Sequence, residues 1–265
     1  MAVRRLEYPA LDPVLDDRAL RELYTYPPAL TRPYVRVNFV SSIDGAVTDG
    51  GTVATLTTPA DKALFFALRA VADAVLVGAG TVRAENYGPA GGDGEVRRWR
   101  TEHGLAPIPP VVVVSASARI EPDSRLVTAA SIAPVLVTAA AADPERVTAL
   151  EQAGVRVVRC TGPSVTSAEL LAALADLGLR RVLCEGGPTL LGQLLDDDAV
   201  DELCVTTSPL AVGGAASRIA HSPTAAGRPM RRGLTLADDD GTLLVQWIRD
   251  RGRSAPRARP AQSAP

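Results

Sequence analysis

Short apolar runs alternate along this chain with longer segments that carry helix-start and helix-end residues, and this alternation restricts the chain to the α/β class of folds. Three of the runs are DAVLVG (73–78), PPVVVVSAS (109–117) and RRVLCEGG (180–187). Between such runs, Thr58 and Pro59 predict the start of one helix, while Asp143, Pro144 and Gly154 predict both ends of another. Short apolar runs of this kind are typical of parallel strands that are covered on both faces.

The pattern changes near the C-terminus. The segment DELCVTTSPLAVGG (201–214) predicts a strand and a loop. The segment GLTLADDDGTLLVQWI (233–248) predicts two strands joined by an acidic turn that ends at Gly241. We therefore expect a mixed, mostly parallel central sheet flanked by helices, with a C-terminal antiparallel hairpin.

The expected organisation has three parts. Residues 1–31 form an N-terminal extension, residues 32–250 form one domain, and residues 251–265, rich in Pro, Ser and Arg, form a disordered tail. Within the domain, the glycine-rich stretch 90–110 is expected to be a mobile loop.

Composition excludes several classes of function. The net charge of −2 argues against a nucleic-acid-binding protein. The chain has two histidines and no CxxC pair, so no metal site is expected, and Cys160 and Cys184 are expected to be buried thiols. No run approaches the ~20 apolar residues of a membrane span, and the N-terminus lacks the apolar core of a signal peptide. We expect a cytoplasmic protein without a membrane partner.

Three predicted strands end in small and polar residues. The segments are SSIDGAV (41–47), VGAGTVRAE (77–85) and CEGGPTLL (184–191). Ligands of open α/β sheets bind at the carboxyl ends of strands, glycine lets a backbone approach a ligand, and N–H groups at a helix start attract phosphate. Each segment alone is also compatible with an ordinary tight turn. Three of them together predict one crevice, and the two glycine-rich ends suit a pyrophosphate held between two loops.

The order and content of these segments resemble the reductase domain of the riboflavin-pathway deaminase/reductase family. The segments that carry the resemblance are VNFVSSIDG, ADAVLVGAGTVRAEN and VLCEGGPTLLGQLL followed by VDELCVTTSPLAVGG, within residues 32–247. The resemblance implies a dihydrofolate-reductase-like fold and an NADPH-dependent reductase, usually a homodimer. It also implies hydride transfer to the C=N bond of a ring-opened phosphoribosylamino-pyrimidine.

The resemblance and the strand ends together assign the candidate site residues. The candidate catalytic residues are Asp44 and Glu185. Candidate substrate-binding residues are Asn38, Ser42, Arg69 and Glu185. Candidate cofactor-binding residues are Val40, Gly78, Gly80, Thr81, Val82, Arg83, Glu85, Ser115, Gly186, Gly187, Pro188, Thr189 and Leu190. Arg83 and Arg119 are candidates for the 2′-phosphate of NADPH. For Glu185, pairing with an arginine, holding a substrate N–H and capping a turn all remain open.

The chain also departs from the family pattern. Asn38 stands where the family commonly has Lys, and Leu56 stands near its usual Trp. The arginine that usually follows the second strand end is missing, and the next arginines are Arg97, Arg98 and Arg100. Three hypotheses follow: a phosphoribosylamino-pyrimidine reductase, a dihydrofolate or pterin reductase of the same fold, and a non-catalytic nucleotide-binding protein.

Overall fold

Seven parallel strands form the centre of the fold. In the computed structural model, which describes residues 14–224 and 227–253, nine strands form one sheet. They are β1 (Tyr34–Ser41), β2 (Ala74–Gly78), β3 (Val111–Val114), β4 (Val135–Thr138), β5 (Arg156–Arg159), β6 (Arg181–Cys184), β7 (Glu202–Thr207), β8 (Met230–Ala237) and β9 (Leu243–Arg249). Their order is β5-β4-β3-β2-β6-β1-β7-β9-β8. β9 pairs antiparallel with β7 and with β8, so the predicted C-terminal hairpin is confirmed.

Helices connect the parallel strands. In the described residues they are α1 (Asp17–Leu23), α2 (Pro59–Val71), α3 (Ala79–Ala84), α4 (Gly94–Glu102), α5 (Arg125–Thr128), α6 (Pro144–Gln152), α7 (Ser167–Asp176) and α8 (Pro188–Asp196). None of them is long and apolar enough to cross a lipid bilayer.

Helix α2 shows how local sequence sets an element. The Thr58 side chain accepts a hydrogen bond from the backbone N–H of Asp61, and Pro59 occupies the first helical position. The buried face includes Leu64 and Leu68, which pack on the sheet. Because α2 follows β1 and runs back across the sheet, its first turn lies near the carboxyl edge, where the candidate site is expected.

The sheet is covered on both faces, as the continuous apolar strands predict. Helices α7 and α8 pack on one face through Leu170, Leu174 and Leu191. On the other face, α2 and α1 cover the half around β1 and β7, while α6 covers the half around β3 and β4. The three cysteines are free and buried within these cores, which confirms the prediction for Cys160 and Cys184.

Two segments contain helices that the sequence did not predict. The stretch 90–110 contains α4, which Asp93 caps and which buries Trp99 and Arg100 against the body of the protein. A helix therefore stands where a loop was expected, because Trp99 anchors a mostly polar segment to the rest of the protein; the mobility of the stretch stays a prediction. In the N-terminal extension, α1 packs on α2 and Tyr24 is fully buried. Of the predicted tail, 254–265 lies outside the described residues, and Arg251 binds the Asp201 carboxylate at 2.8 Å.

Candidate active site

The three polar strand ends lie side by side. Strands β2, β6 and β1 are consecutive in the sheet, and all three are parallel. The backbone N–H of Gly78 donates to the carbonyl of Gly186 at 2.7 Å, and that of Glu185 donates to the carbonyl of Leu76 at 2.9 Å. The two glycine-rich ends are therefore joined directly by backbone hydrogen bonds, and the third end follows on the next strand.

Close packing between these loops leaves no room for side chains at two glycines. A Cβ on Gly187 would lie 2.6 Å from Oγ1 of Thr81, and a Cβ on Gly186 would lie 2.8 Å from the Phe39 ring. Gly186 also has a φ of +104°, which favours glycine. By contrast, a Cβ on Gly80 would meet nothing within 4 Å, so the backbone there is open to a ligand.

Two helices begin at this edge. α3 starts directly after Gly78, and α8 starts at Pro188 with Gly187 as its N-cap. The first N–H groups of a helix have no partner within the helix and attract anions. Thr189 is exposed at this start, whereas the Val82 and Leu190 side chains are buried in the core. Val82 and Leu190 can therefore contribute to a cofactor site only through their backbones.

The outer side of the site contains two cations. A guanidinium N–H of Arg83 donates to the backbone carbonyl of Arg119 at 2.8 Å, so the two exposed residues are neighbours. Ser115 is buried, and its hydroxyl accepts the backbone N–H of Arg119 at 3.1 Å. Glu85 is exposed at the end of α3. The structure thus places three predicted cofactor residues beside the α3 and β3 ends.

Arg69 and Glu185 form the strongest polar contact of the site. Arg69 Nε and Nη2 each lie 2.7 Å from one oxygen of Glu185. The side chains are only 14% and 5% exposed. Tyr87 donates its hydroxyl to Glu185 and accepts from Arg69 at 2.6 Å. Burial, followed by the Glu185 charge, raises the pKa of Tyr87 well above its usual value.

This arrangement shows one of the roles left open for Glu185. Both of its oxygens accept hydrogen bonds from Arg69, so it pairs with an arginine. The guanidinium also lies 4.1 Å from the centre of the Phe65 ring, four residues earlier on α2. Sequence reasoning missed Tyr87 and Phe65. Helical spacing could have indicated Phe65, because residues four apart share a helix face, whereas no local pattern marks Tyr87.

Asp44 connects the turn after β1 to the loop after β7. Its carboxylate accepts hydrogen bonds from the Ser42 hydroxyl and from the backbone N–H groups of Val212 and Gly213, the latter at 2.7 Å. These bonds lower the pKa of Asp44 from 3.8 to about 2, with the Ser42 hydroxyl contributing most. The buried Ser42 hydroxyl also accepts the N–H of Ala46. Asp44 is consequently ionised at neutral pH and is better suited to orienting groups than to donating a proton.

The low pKa of Asp44 predicts how stability depends on pH. Because the folded-state pKa lies below 3.8, the carboxylate stabilises the fold fully above pH 3.8 and loses this effect as the pH falls towards 2. An Asp44→Asn variant should therefore be less stable than the native protein at pH 7, with the difference shrinking below pH 4. Denaturant titrations at pH 7, 4 and 3 measure this. Asp123→Asn, which changes an exposed carboxyl elsewhere, should track the native protein. A constant difference for Asp44→Asn would contradict the assignment.

The sequence also indicated Asn38 and Val40 as site residues and Arg100 as one of the next arginines after the second strand end. Asn38 and Val40 are buried on β1 beside the site. Arg100 does not reach the site, because its guanidinium binds the backbone carbonyls of Arg69, Ala70 and Ala72 at the end of α2. Arg100 cannot replace the missing family arginine, since it is used as a buried cap.

The sheet order and the paired glycine loops define a class of α/β enzymes that bind a nucleotide at the carboxyl edge of the sheet. Residues 33–237 match the model of the RibD C-terminal domain. A 2,5-diamino-6-ribosylamino-4(3H)-pyrimidinone 5′-phosphate reductase from Archaeoglobus fulgidus is 32% identical over 184 residues, which cover 69% of this chain and 83% of the relative. The chain therefore belongs to the RibD C-terminal domain family, and it is an oxidoreductase of the pyrimidine reductase type.

Solved structures show the same fold. A pyrimidine reductase-like protein from Corynebacterium diphtheriae superimposes with a TM-score of 0.78 at 24% identity, covering 88% of this chain and 98% of that one. A deaminase/5-amino-6-(5-phosphoribosylamino)uracil reductase from Thermotoga maritima gives 0.63 at 21% identity, covering 83% of this chain and 57% of that one. The predicted α/β fold, with a mixed, mostly parallel sheet and a C-terminal antiparallel hairpin, is confirmed.

Proposed function

We propose that the protein uses NADPH to reduce the C=N bond of a ring-opened ribosylamino-pyrimidine 5′-phosphate. The observation that carries this proposal is the contact between the two glycine loops, Gly78 with Gly186, next to the buried pair of Arg69 and Glu185. This contact supports a phosphate-binding edge beside the polar wall formed by the Arg69–Glu185 pair. The reaction of the Archaeoglobus relative supports the substrate class.

The cofactor end of this proposal rests on backbone shape and on charge. The open backbone at Gly80 and the starts of α3 and α8 fit a pyrophosphate, which accepts N–H donors readily. Arg83 and Arg119 are neighbouring cations on the outer side, and they suit the extra phosphate that distinguishes NADPH from NADH.

The chain's own residues orient the reactants. When bound, NADPH supplies a hydride to the imine carbon, and a proton completes the amine at nitrogen. Glu185 fixes the Arg69 guanidinium and the Tyr87 hydroxyl in one geometry before substrate arrives, which limits reorganisation during the reaction. Asp44, which remains ionised above pH 2, holds the two loops beyond β1 and β7 together. Its role is therefore positioning.

A second candidate is the reduction of a dihydropterin. The specific observation in its favour is the shortage of cations for a substrate phosphate: Asn38 replaces the usual lysine, and Arg100 is turned towards the end of α2. A phosphate dianion needs several cationic or N–H partners. A pterin ring carries no phosphate and needs no such partners. The two candidate substrates therefore differ in the number of cations that the site must supply.

One assay separates the candidates. Purified protein is mixed with NADPH, and absorbance at 340 nm is followed with the diaminopyrimidinone phosphate, the aminouracil phosphate or dihydrofolate. The proposal expects oxidation with a pyrimidine phosphate, and expects NADPH to be used in preference to NADH. Turnover of dihydrofolate alone would establish the pterin candidate instead. Tight NADPH binding without turnover of any of the three would indicate a nucleotide-binding protein without this activity.

A further inference from the structure

The loop that follows β7 crosses the carboxyl edge of the sheet. At its beginning, the backbone N–H of Ser208 donates to the carbonyl of Ser41, at the end of β1, at 2.8 Å. Further along, the N–H of His221 donates to the carbonyl of Pro188, at the start of α8, at 3.0 Å. A Cβ on Gly192 would lie 2.1 Å from the His221 carbonyl oxygen, so the loop lies directly against α8. The loop therefore runs from the end of β1 to the helix start that suits a pyrophosphate.

Six residues of this loop, GGAASR at 213–218, form its crossing segment. The segment is fixed by two hydrogen bonds to the turn after β1. The N–H of Gly213 donates to the Asp44 carboxylate at 2.7 Å, and the N–H of Val47 donates to the carbonyl of Ser217 at 3.2 Å. All six residues are exposed, and the two glycines allow a ligand to approach the backbone. The crossing segment is thus held in place at the crevice while its outer surface stays open.

Arg218 is the cation of the crossing segment. Its side chain is exposed, and among the residues that the structure describes it forms no ion pair. Other arginines near the crevice are held by the protein itself: Arg69 pairs with Glu185, and Arg100 binds backbone carbonyls at the end of α2. Arg218 differs from them because its guanidinium is left for a ligand.

Chain length places Arg218 near the start of α8. Three residues separate it from His221, and an extended chain spans at most ~3.6 Å per residue, so the two Cα atoms lie within about 11 Å of each other. The long arginine side chain can cover part of that distance. A helix start carries only about half a positive charge, whereas a pyrophosphate carries about two negative charges. The helix start alone is therefore insufficient to neutralise such a ligand, and a nearby guanidinium supplies the missing charge.

We propose that Arg218 binds a phosphate group of a reactant at the start of α8. This inference rests on the proposed function, which brings two sources of phosphate to the crevice: the pyrophosphate of the cofactor and the 5′-phosphate of the pyrimidine. The pyrophosphate is the expected ligand, because the loop that carries Arg218 contacts α8 at Pro188. Asp44 then has a second positioning role, since it fixes the beginning of the crossing segment through Gly213.

The test measures the dissociation constants of NADPH and NADH by fluorescence titration. Arg218→Ala should weaken the binding of both nucleotides by about tenfold or more and by the same factor, because both contain the pyrophosphate. Arg218→Lys should retain part of the affinity, since it keeps the charge without the planar fork of donors. Arg180→Ala removes an exposed arginine directly before β6, at the opposite edge of the sheet, and should bind both nucleotides as the native protein does.

Further readouts identify the source of the phosphate. Unchanged nucleotide affinity with a KM for the pyrimidine phosphate raised about tenfold or more would assign Arg218 to the substrate phosphate. A loss for NADPH alone would overturn the inference, because that loss belongs to the 2′-phosphate and its neighbouring cations. Unchanged affinity for both nucleotides with an unchanged KM would overturn it as well.

The binding measurement also separates this inference from the proposed function. Arg218→Ala should melt at the native temperature, since no ion pair of the described residues is lost. If the native protein binds NADPH and reduces neither pyrimidine, the proposed function fails, while an equal loss of NADPH and NADH affinity in Arg218→Ala still supports the inference. If the native protein reduces a pyrimidine phosphate and Arg218→Ala changes none of these constants, the inference alone is overturned.

Discussion

Replacing Glu185 with Gln is expected to lower kcat by about 100-fold or more and to reduce the free energy of unfolding by about 3–5 kcal/mol. The amide removes the charge that holds the largely buried Arg69, whose nitrogens lie 2.7 Å from both Glu185 oxygens. Without that charge, Arg69 is left uncompensated and the wall of the crevice loses its fixed geometry. Steady-state kinetics and urea denaturation measure the two effects. NADPH affinity should change far less, because the glycine loops remain.

A double variant separates catalysis from stability. In Arg69→Met with Glu185→Leu, both charges are replaced by apolar groups, which is often nearly neutral for stability when a buried pair is removed together. We expect this protein to regain much of the lost stability and to stay inactive. Wild-type kcat in Glu185→Gln would show that the pair is only structural. Recovery of turnover in the double variant would also show that the Arg69–Glu185 pair is only structural.

Replacing Gly187 with Val is expected to weaken NADPH binding by about 100-fold, on the scale of ~1.4 kcal/mol for each factor of ten. Even the first carbon of a side chain would lie 2.6 Å from Thr81 Oγ1, so the two glycine loops must move apart. The phosphate-binding edge depends on their spacing. Fluorescence titration with NADPH measures the affinity.

Two further variants test that steric reason. Gly187→Ala combined with Thr81→Ala removes the contact atom and should recover affinity to the level of Thr81→Ala alone. Gly91→Ala, where a Cβ meets nothing within 4 Å, should bind as the native protein does. Unchanged affinity in Gly187→Val would remove the pyrophosphate assignment from this loop.

Local patterns were sufficient to predict the strands and several of the helices. Continuous apolar runs predicted β2, β3 and β6, and the cap residues Thr58 and Asp143 predicted the starts of α2 and α6. Helix α4 was missed because Asp93 begins a segment with a single large apolar residue, Trp99. Its stability comes from packing against the rest of the protein, a long-range effect that a local pattern does not carry.

The sequence by itself determined an α/β fold with glycine-rich strand ends, because strand periodicity, caps and glycine loops are local properties, and its resemblance to the riboflavin-pathway reductase family indicated the activity. Only the tertiary structure decided how the polar residues are used. It paired Arg69 with Glu185, which are 116 residues apart, and brought Tyr87 onto both. It also buried Asp61 on the inner face of α2, although helix rules alone would assign Asp61 only a first-turn role. Burial and pairing depend on segments that are distant in sequence, and no local pattern carries that information.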